Sequence, residues 1–305
     1  MSDMRVNLCG VELKNPVIAA SGTFGYGMEY NEFYPVARLG GVACKGTTLR
    51  ERAGNPGPRV VETPAGMLNS VGLQNPGVEA FLSVYLPWLK SQGTAVIANI
   101  AGATLEDYAA IAEKLDGSDA DMVELNVSCP NVKAGGVNFG TSCDSVARVT
   151  AEVRKRCRKP LMVKLTPNVT SIGDIAAAAE AAGADCLSLI NTLTGMRVDI
   201  RTRRPILHNN TGGLSGPAVF PVALRMVRDV YQRVKIPVVG MGGIACWQDA
   251  AEMMIAGAAA VQVGTANFHD PYACVKIIEG LEQYADSCGL GSITALTGTL
   301  EEWPA

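Results

Sequence analysis

Eight short apolar runs punctuate the chain: Val17 to Ala20, Val42 to Cys44, Ala95 to Ala98, Met122 to Leu125, Leu161 to Val163, Cys186 to Ile190, Val238 to Val239 and Ala260 to Val263. They are apolar at nearly every position, the pattern of parallel strands buried on both faces. The stretches between them, such as Leu105 to Leu115 and Ile172 to Ala182, repeat their apolar residues at helical spacing. Eight alternations of strand and helix predict an α/β fold closed as a (β/α)8 TIM barrel. Ahead of the first run, VNLCGVELKNP alternates apolar and polar residues around Gly10, which predicts a β-hairpin closing the bottom of the barrel. Two connections exceed what a barrel requires: Gly46 to about Gly77, and Thr192 to Pro217. Loops of that length in a compact fold usually bind or cover ligands, so both are expected over the C-terminal face. No linker, low-complexity tract or repeat divides residues 1–305, and a single domain is expected.

Each run stops at a small or polar residue: Ser21, Lys45, Asn99, Asn126, Lys164, Asn191, the pair Gly242 and Gly243, and the pair Gly264 and Thr265. In a barrel these positions converge on the C-terminal face, where the loops after strands seven and eight commonly grip phosphate. The glycines of GMGGI and VGTAN suit close backbone approach to an anion, although tight strand-to-helix turns would also select them. Gly240 to Ala245 fits the loose dinucleotide fingerprint GxGxxA, but the next strand, ending VQVGTAN, offers no acidic residue for a ribose. A mononucleotide phosphate is the better match.

Lys45 and Lys164 each end an apolar strand. Two lysines at one rim suit stabilisation of negative charge, on a reduced flavin or a carboxylate. They also suit a Schiff-base lyase, or a rim lysine that merely snorkels. Cys129, in NVSCPN, follows the fourth strand, and Pro130 argues against a strand there, so the thiol is expected on a loop at the active face as base or nucleophile. Asn69, in GMLNSVGLQNPG, together with Asn126 and Asn191, adds amide groups suited to a small planar ligand, though asparagine also makes turns.

Charge and cysteine usage narrow the classes further. A net charge of −3 without a basic run gives no footprint for nucleic acid. No apolar stretch approaches the roughly 20 residues of a membrane helix, and MSDMRVNLCG lacks signal-peptide character, so a cytoplasmic protein is expected. The nine cysteines form no CxxC pair and the two histidines lie far apart, which argues against a metal site, an iron–sulfur cluster or a Ser-His-Asp triad.

Taken in order, NPVIAASGTFGYGMEY, CKGTTL, GNPGPRVVETPAGMLNSVGLQNPG, NVSCPNVKAGG, VKLTPNV, INTLTGMR, TGGLSGPA, GMGGI and VGTANF resemble the class 1 dihydroorotate dehydrogenases, and within them the class 1B catalytic subunit. The resemblance runs nearly end to end. It implies FMN in this chain, oxidation of dihydroorotate to orotate, and Cys129 as the base at C5. It further implies a flavin site of Ser21, Lys45, Gly46, Asn99, Asn126, Lys164, Ile190 and Gly216, with Gly242, Gly243, Gly264 and Thr265 at the phosphate. Substrate contacts would come from Lys45, from Asn69, Ser70, Val71, Gly72 and Leu73, and from Asn126, Asn191 and Thr192. Class 1B implies NAD as the final acceptor, reached through a partner subunit carrying FAD and a [2Fe–2S] cluster, around a homodimer within a heterotetramer. A class 1A-like homodimer reducing fumarate directly is the alternative.

Overall fold

The computed structural model describes residues 2–127 and 139–304. Eight parallel strands close into a barrel: β1 (Val17–Ala19), β2 (Gly41–Ala43), β3 (Ala95–Ile100), β4 (Met122–Asn126), β5 (Leu161–Lys164), β6 (Cys186–Leu189), β7 (Val238–Met241) and β8 (Ala260–Val263). Neighbours in sequence are neighbours in space, and β8 pairs with β1 through Val261 opposite Val17. All eight expected strands are present. β3 and β7 run two residues further than their apolar runs, because Asn99, Ile100, Gly240 and Met241 stay in the ladder. Asn99 therefore lies within a strand and not beyond its end. β6 stops at Leu189, one residue short of the expected Ile190.

The intervening helices start where the sequence supplies caps. The Thr104 hydroxyl and the Asp107 carboxylate form a reciprocal capping box ahead of helix Leu105–Asp116. Ser142 and Ser171 accept backbone N–H bonds at the starts of helices Cys143–Arg156 and Ile172–Ala181. Each of these helices turns its apolar stripe onto the barrel, and the buried side chains form one core from Met4 to Leu296. The expected hairpin is Val6–Leu8 paired with Val11–Leu13, turning at Cys9 and Gly10, both at positive φ. The Cys9 thiol donates to the carbonyl of Asp185, the residue before β6, which seats the hairpin at the bottom of the barrel.

The two long loops do more than cover the opposite face, for they build a second sheet together. Leu193–Gly195, Gly212–Ser215, Gly66–Asn69 and Val60–Thr63 pair antiparallel in that order. Within the first loop, the side chain of buried Asn75 accepts from the N–H groups of Thr48 and Gly77 and donates to Thr48 Oγ1 and Leu73 O. One satisfied amide thus anchors a stretch that has little regular structure of its own.

Candidate active site

The strand ends and the second sheet enclose a cavity of about 900 Å³. That lies within the roughly 300–1000 Å³ typical of small-ligand sites. β5 delivers Lys164, only 6% exposed, whose Nζ donates to Ser21 Oγ at 3.3 Å. A nearly buried ammonium with one neutral partner among the described residues suits an electron-rich ligand edge beside it. From β2 come Lys45 and Gly46, and a Cβ added to Gly46 would stand 3.0 Å from Asn99 Oδ1 on β3. Asn126 ends β4, and its carbonyl accepts from the Tyr108 hydroxyl at 2.8 Å. Asn191 and Thr192 follow β6, the Asn191 side chain accepting from Thr192 N at 2.7 Å.

The glycines after β7 and β8 differ in physical origin. Gly242 and Gly243 have φ of +120° and +81°, and a Cβ on them would stand 2.9 Å from Ala223 and 2.7 Å from Phe220. The positive φ and the close approach of helix Phe220–Tyr231 are sufficient reason for both glycines, whatever they bind. Gly264 is different: its nearest neighbours to a Cβ lie 3.6 and 3.8 Å away, and at Gly22 nothing lies within 4 Å. The protein's own packing leaves open space at Gly22 and room for a Cβ at Gly264, so neither glycine is demanded by a clash within the chain. Thr265 donates to Ser215 Oγ at 2.8 Å, tying the end of β8 to the second sheet.

Of the residues singled out in the sequence, Ile190, Gly216, Asn69, Val71, Gly72 and Leu73 line this cavity as well. Ser70 does not. It is buried behind the loop, where its Oγ and carbonyl accept from Asn55 Nδ2. Cys129 lies outside the described residues. The chain on either side of that segment meets at the rim, since a Cβ on Gly140 would stand 2.6 Å from Val127 O. Two other thiols sit nearby. Burial, followed by the Glu124 carboxylate, pushes the fully buried Cys44 thiol well above its ordinary value, and burial raises Cys246 on the cavity wall.

Sequence reasoning missed Glu124 and Gln262, which face each other inside the barrel from β4 and β8. A glutamate within MVELN and a glutamine within AVQVG were the available signals, each a polar residue interrupting an apolar strand.

Comparison with known proteins decides the family. The model of the family described as dihydroorotate dehydrogenase matches residues 3–284. The chain belongs to the dihydroorotate dehydrogenase family. It is 55% identical over 298 residues to a protein of Alkaliphilus oremlandii, covering 98% of this chain and 99% of that one. It is 52% identical over 300 residues to a protein of Petrotoga mobilis, covering 98% of this chain and 100% of the other. A Bacteroides fragilis protein is 52% identical over 302 residues, covering 99% and 100%. All three bear the name dihydroorotate dehydrogenase B (NAD(+)), catalytic subunit.

Family membership makes this dehydrogenase an FMN-dependent oxidoreductase of dihydroorotate. The cavity fits such a cofactor: open space at Gly22, clash-free room at Gly264, a largely apolar wall, and one buried ammonium at Lys164. Two substitutions separate the glycine roles. Gly243→Ala should destabilise even the flavin-free protein, by about 1–3 kcal/mol, because it combines positive φ with a clash. Gly264→Ala should leave the flavin-free melting temperature unchanged while weakening FMN binding about tenfold, through steric exclusion alone. Equal FMN affinity of Gly264→Ala and wild type, by fluorescence titration, would remove Gly264 from the cofactor site.

Proposed function

We propose that this chain is the catalytic subunit of a class 1B dihydroorotate dehydrogenase, serving UMP synthesis and passing electrons to NAD through a second protein. We take residues 1–305 as one FMN-binding domain. The observation that carries the reading is the convergence of Lys45, Lys164, Asn99, Asn126 and Asn191 on one cavity beneath the two-loop sheet. When bound, FMN supplies at N5 the acceptor for the hydride leaving C6 of dihydroorotate.

Every other task falls to the chain. Cys129 takes the proton from C5; a thiol, with a reference pKa near 8.5, is a far better base near neutral pH than a serine hydroxyl. Asn69, Asn126 and Asn191 offer amide donors and acceptors to the planar substrate, with Lys45 for its negative charge. The segment from Val71 to Leu73 closes one wall, and Ser70, its side chain already engaged by Asn55, contributes to that segment's shape. Lys164 holds a positive charge beside the flavin. The second sheet keeps water away from the reacting atoms.

The names of the relatives support the acceptor assignment, since a catalytic subunit implies another subunit. The scattered cysteines and the absence of an acidic ribose partner after Gly240 to Ala245 argue in the same direction. The partner would carry FAD and a [2Fe–2S] cluster and dock on a dimer of this chain. The test compares the isolated chain with an artificial dye, with fumarate and with NAD⁺, then adds the co-purifying FAD and iron–sulfur protein. Dye reduction by the chain alone, with NAD⁺ reduction appearing only on addition of the partner, is the expected outcome. Efficient turnover of fumarate by the isolated chain would favour the class 1A-like alternative and remove the partner from the account.

A further inference from the structure

Below the ring of strand ends, inside the barrel, lies a carboxylate that the reaction does not use. Glu124 is fully buried and accepts from three neutral donors: Ser188 Oγ at 2.8 Å, Gln262 Nε2 at 2.7 Å and Asn99 Nδ2. Those partners come from β6, β8 and β3, so one side chain ties four strands together. A carboxylate is an acceptor only, and both amides must therefore turn their NH2 groups toward it. Their oxygens consequently point away from it. Asn99 Oδ1 and Gln262 Oε1 are buried without a hydrogen-bond partner among the described residues, although both side chains line the cavity. Two orphaned acceptors in one site are costly unless a ligand supplies a donor. Gly46 keeps the space beside Asn99 Oδ1 free of a side chain.

We propose that Glu124 is a positioning residue of the flavin site. It turns Asn99 and Gln262 so that their oxygens form an acceptor floor for the ring N–H of the flavin pyrimidine. The inference rests on the proposed FMN-dependent function. Asn99 was already expected near flavin; Gln262 as its companion and Glu124 as the group that orients both are new. A merely structural cluster would hold the barrel together without any preference about the ligand's N–H. The floor, by contrast, selects a donor, and it should reject a flavin whose N3 carries a methyl group.

The experiment removes FMN from the purified protein and titrates it with FMN and with 3-methyl-FMN, following flavin fluorescence. Wild type should prefer FMN by about a hundredfold or more, because a buried site built for an N–H rejects an analogue lacking it. In Glu124→Gln one of the three donors loses its acceptor and an amide is free to turn over. FMN binding should weaken about ten- to a hundredfold and the preference over 3-methyl-FMN should shrink accordingly. Gln262→Met, close in volume and apolar, should shrink the preference without disturbing Asn99, and it covers the case in which Glu124→Gln fails to fold. A folded Gln262→Met protein with the wild-type preference would overturn the proposal, as would a wild type that binds both flavins alike. A protein that binds neither flavin and oxidises no dihydroorotate would instead refute the functional reading on which the inference rests.

Discussion

Replacing Cys129 by alanine is expected to leave FMN bound and to slow flavin reduction by dihydroorotate about 10²- to 10⁴-fold, the usual contribution of a positioned general base. The expectation follows from the proposed role of Cys129 as the base at C5. Cys44 is locked in the core, where burial and then Glu124 raise its pKa, and burial raises Cys246 on the cavity wall. Cys129 follows Val127 by two residues in NVSCPN, the motif that resembles the base-bearing segment of the family. Anaerobic stopped-flow mixing measures the step directly. Cys129→Ser should retain some reduction that improves toward high pH, because a hydroxyl needs a far stronger push to accept a proton. Reduction of Cys129→Ala at near wild-type speed would remove the thiol from the mechanism.

Lys164→Ala should reduce FMN affinity about thirtyfold or more and lower the potential of whatever flavin is retained. Its Nζ is nearly buried and donates to Ser21 Oγ at 3.3 Å, a neutral partner that leaves most of the charge for a ligand. Truncating one partner of a buried, charge-assisted contact costs on the order of 2–5 kcal/mol, and the loss grows as negative charge accumulates on the flavin. Fluorescence titration gives the affinity and redox titration the potential. If both equal those of wild type, Lys164 is a rim residue with no part in the cofactor site.

Much of the architecture was legible from local pattern. The eight apolar runs became the eight barrel strands, the Gly10 alternation became the hairpin, and the polar residues at the strand ends converged as the barrel geometry requires. These features depend on residues close together in sequence. What stayed hidden depends on closure. Met67 pairs with Ser215, and nothing in either segment alone announces that two loops will share a sheet. Asn99, Glu124, Ser188 and Gln262 lie on four strands and become a network only once the barrel brings them together. Ser70 was read with its neighbours as a substrate contact, yet the local turn of the chain buries it against Asn55. Gly242 and Gly243 show a further limit: sequence could not separate a glycine demanded by helix packing from one, such as Gly264, that the protein's own packing does not require.

The most direct test of the account is the visible spectrum of the purified, flavin-loaded chain before and after anaerobic addition of dihydroorotate. A yellow protein is expected, its flavin absorbance bleaching on mixing and orotate forming in proportion to flavin reduced. An unchanged spectrum would contradict it, and so would a colourless protein that borohydride traps covalently with a carbonyl substrate at Lys45 or Lys164.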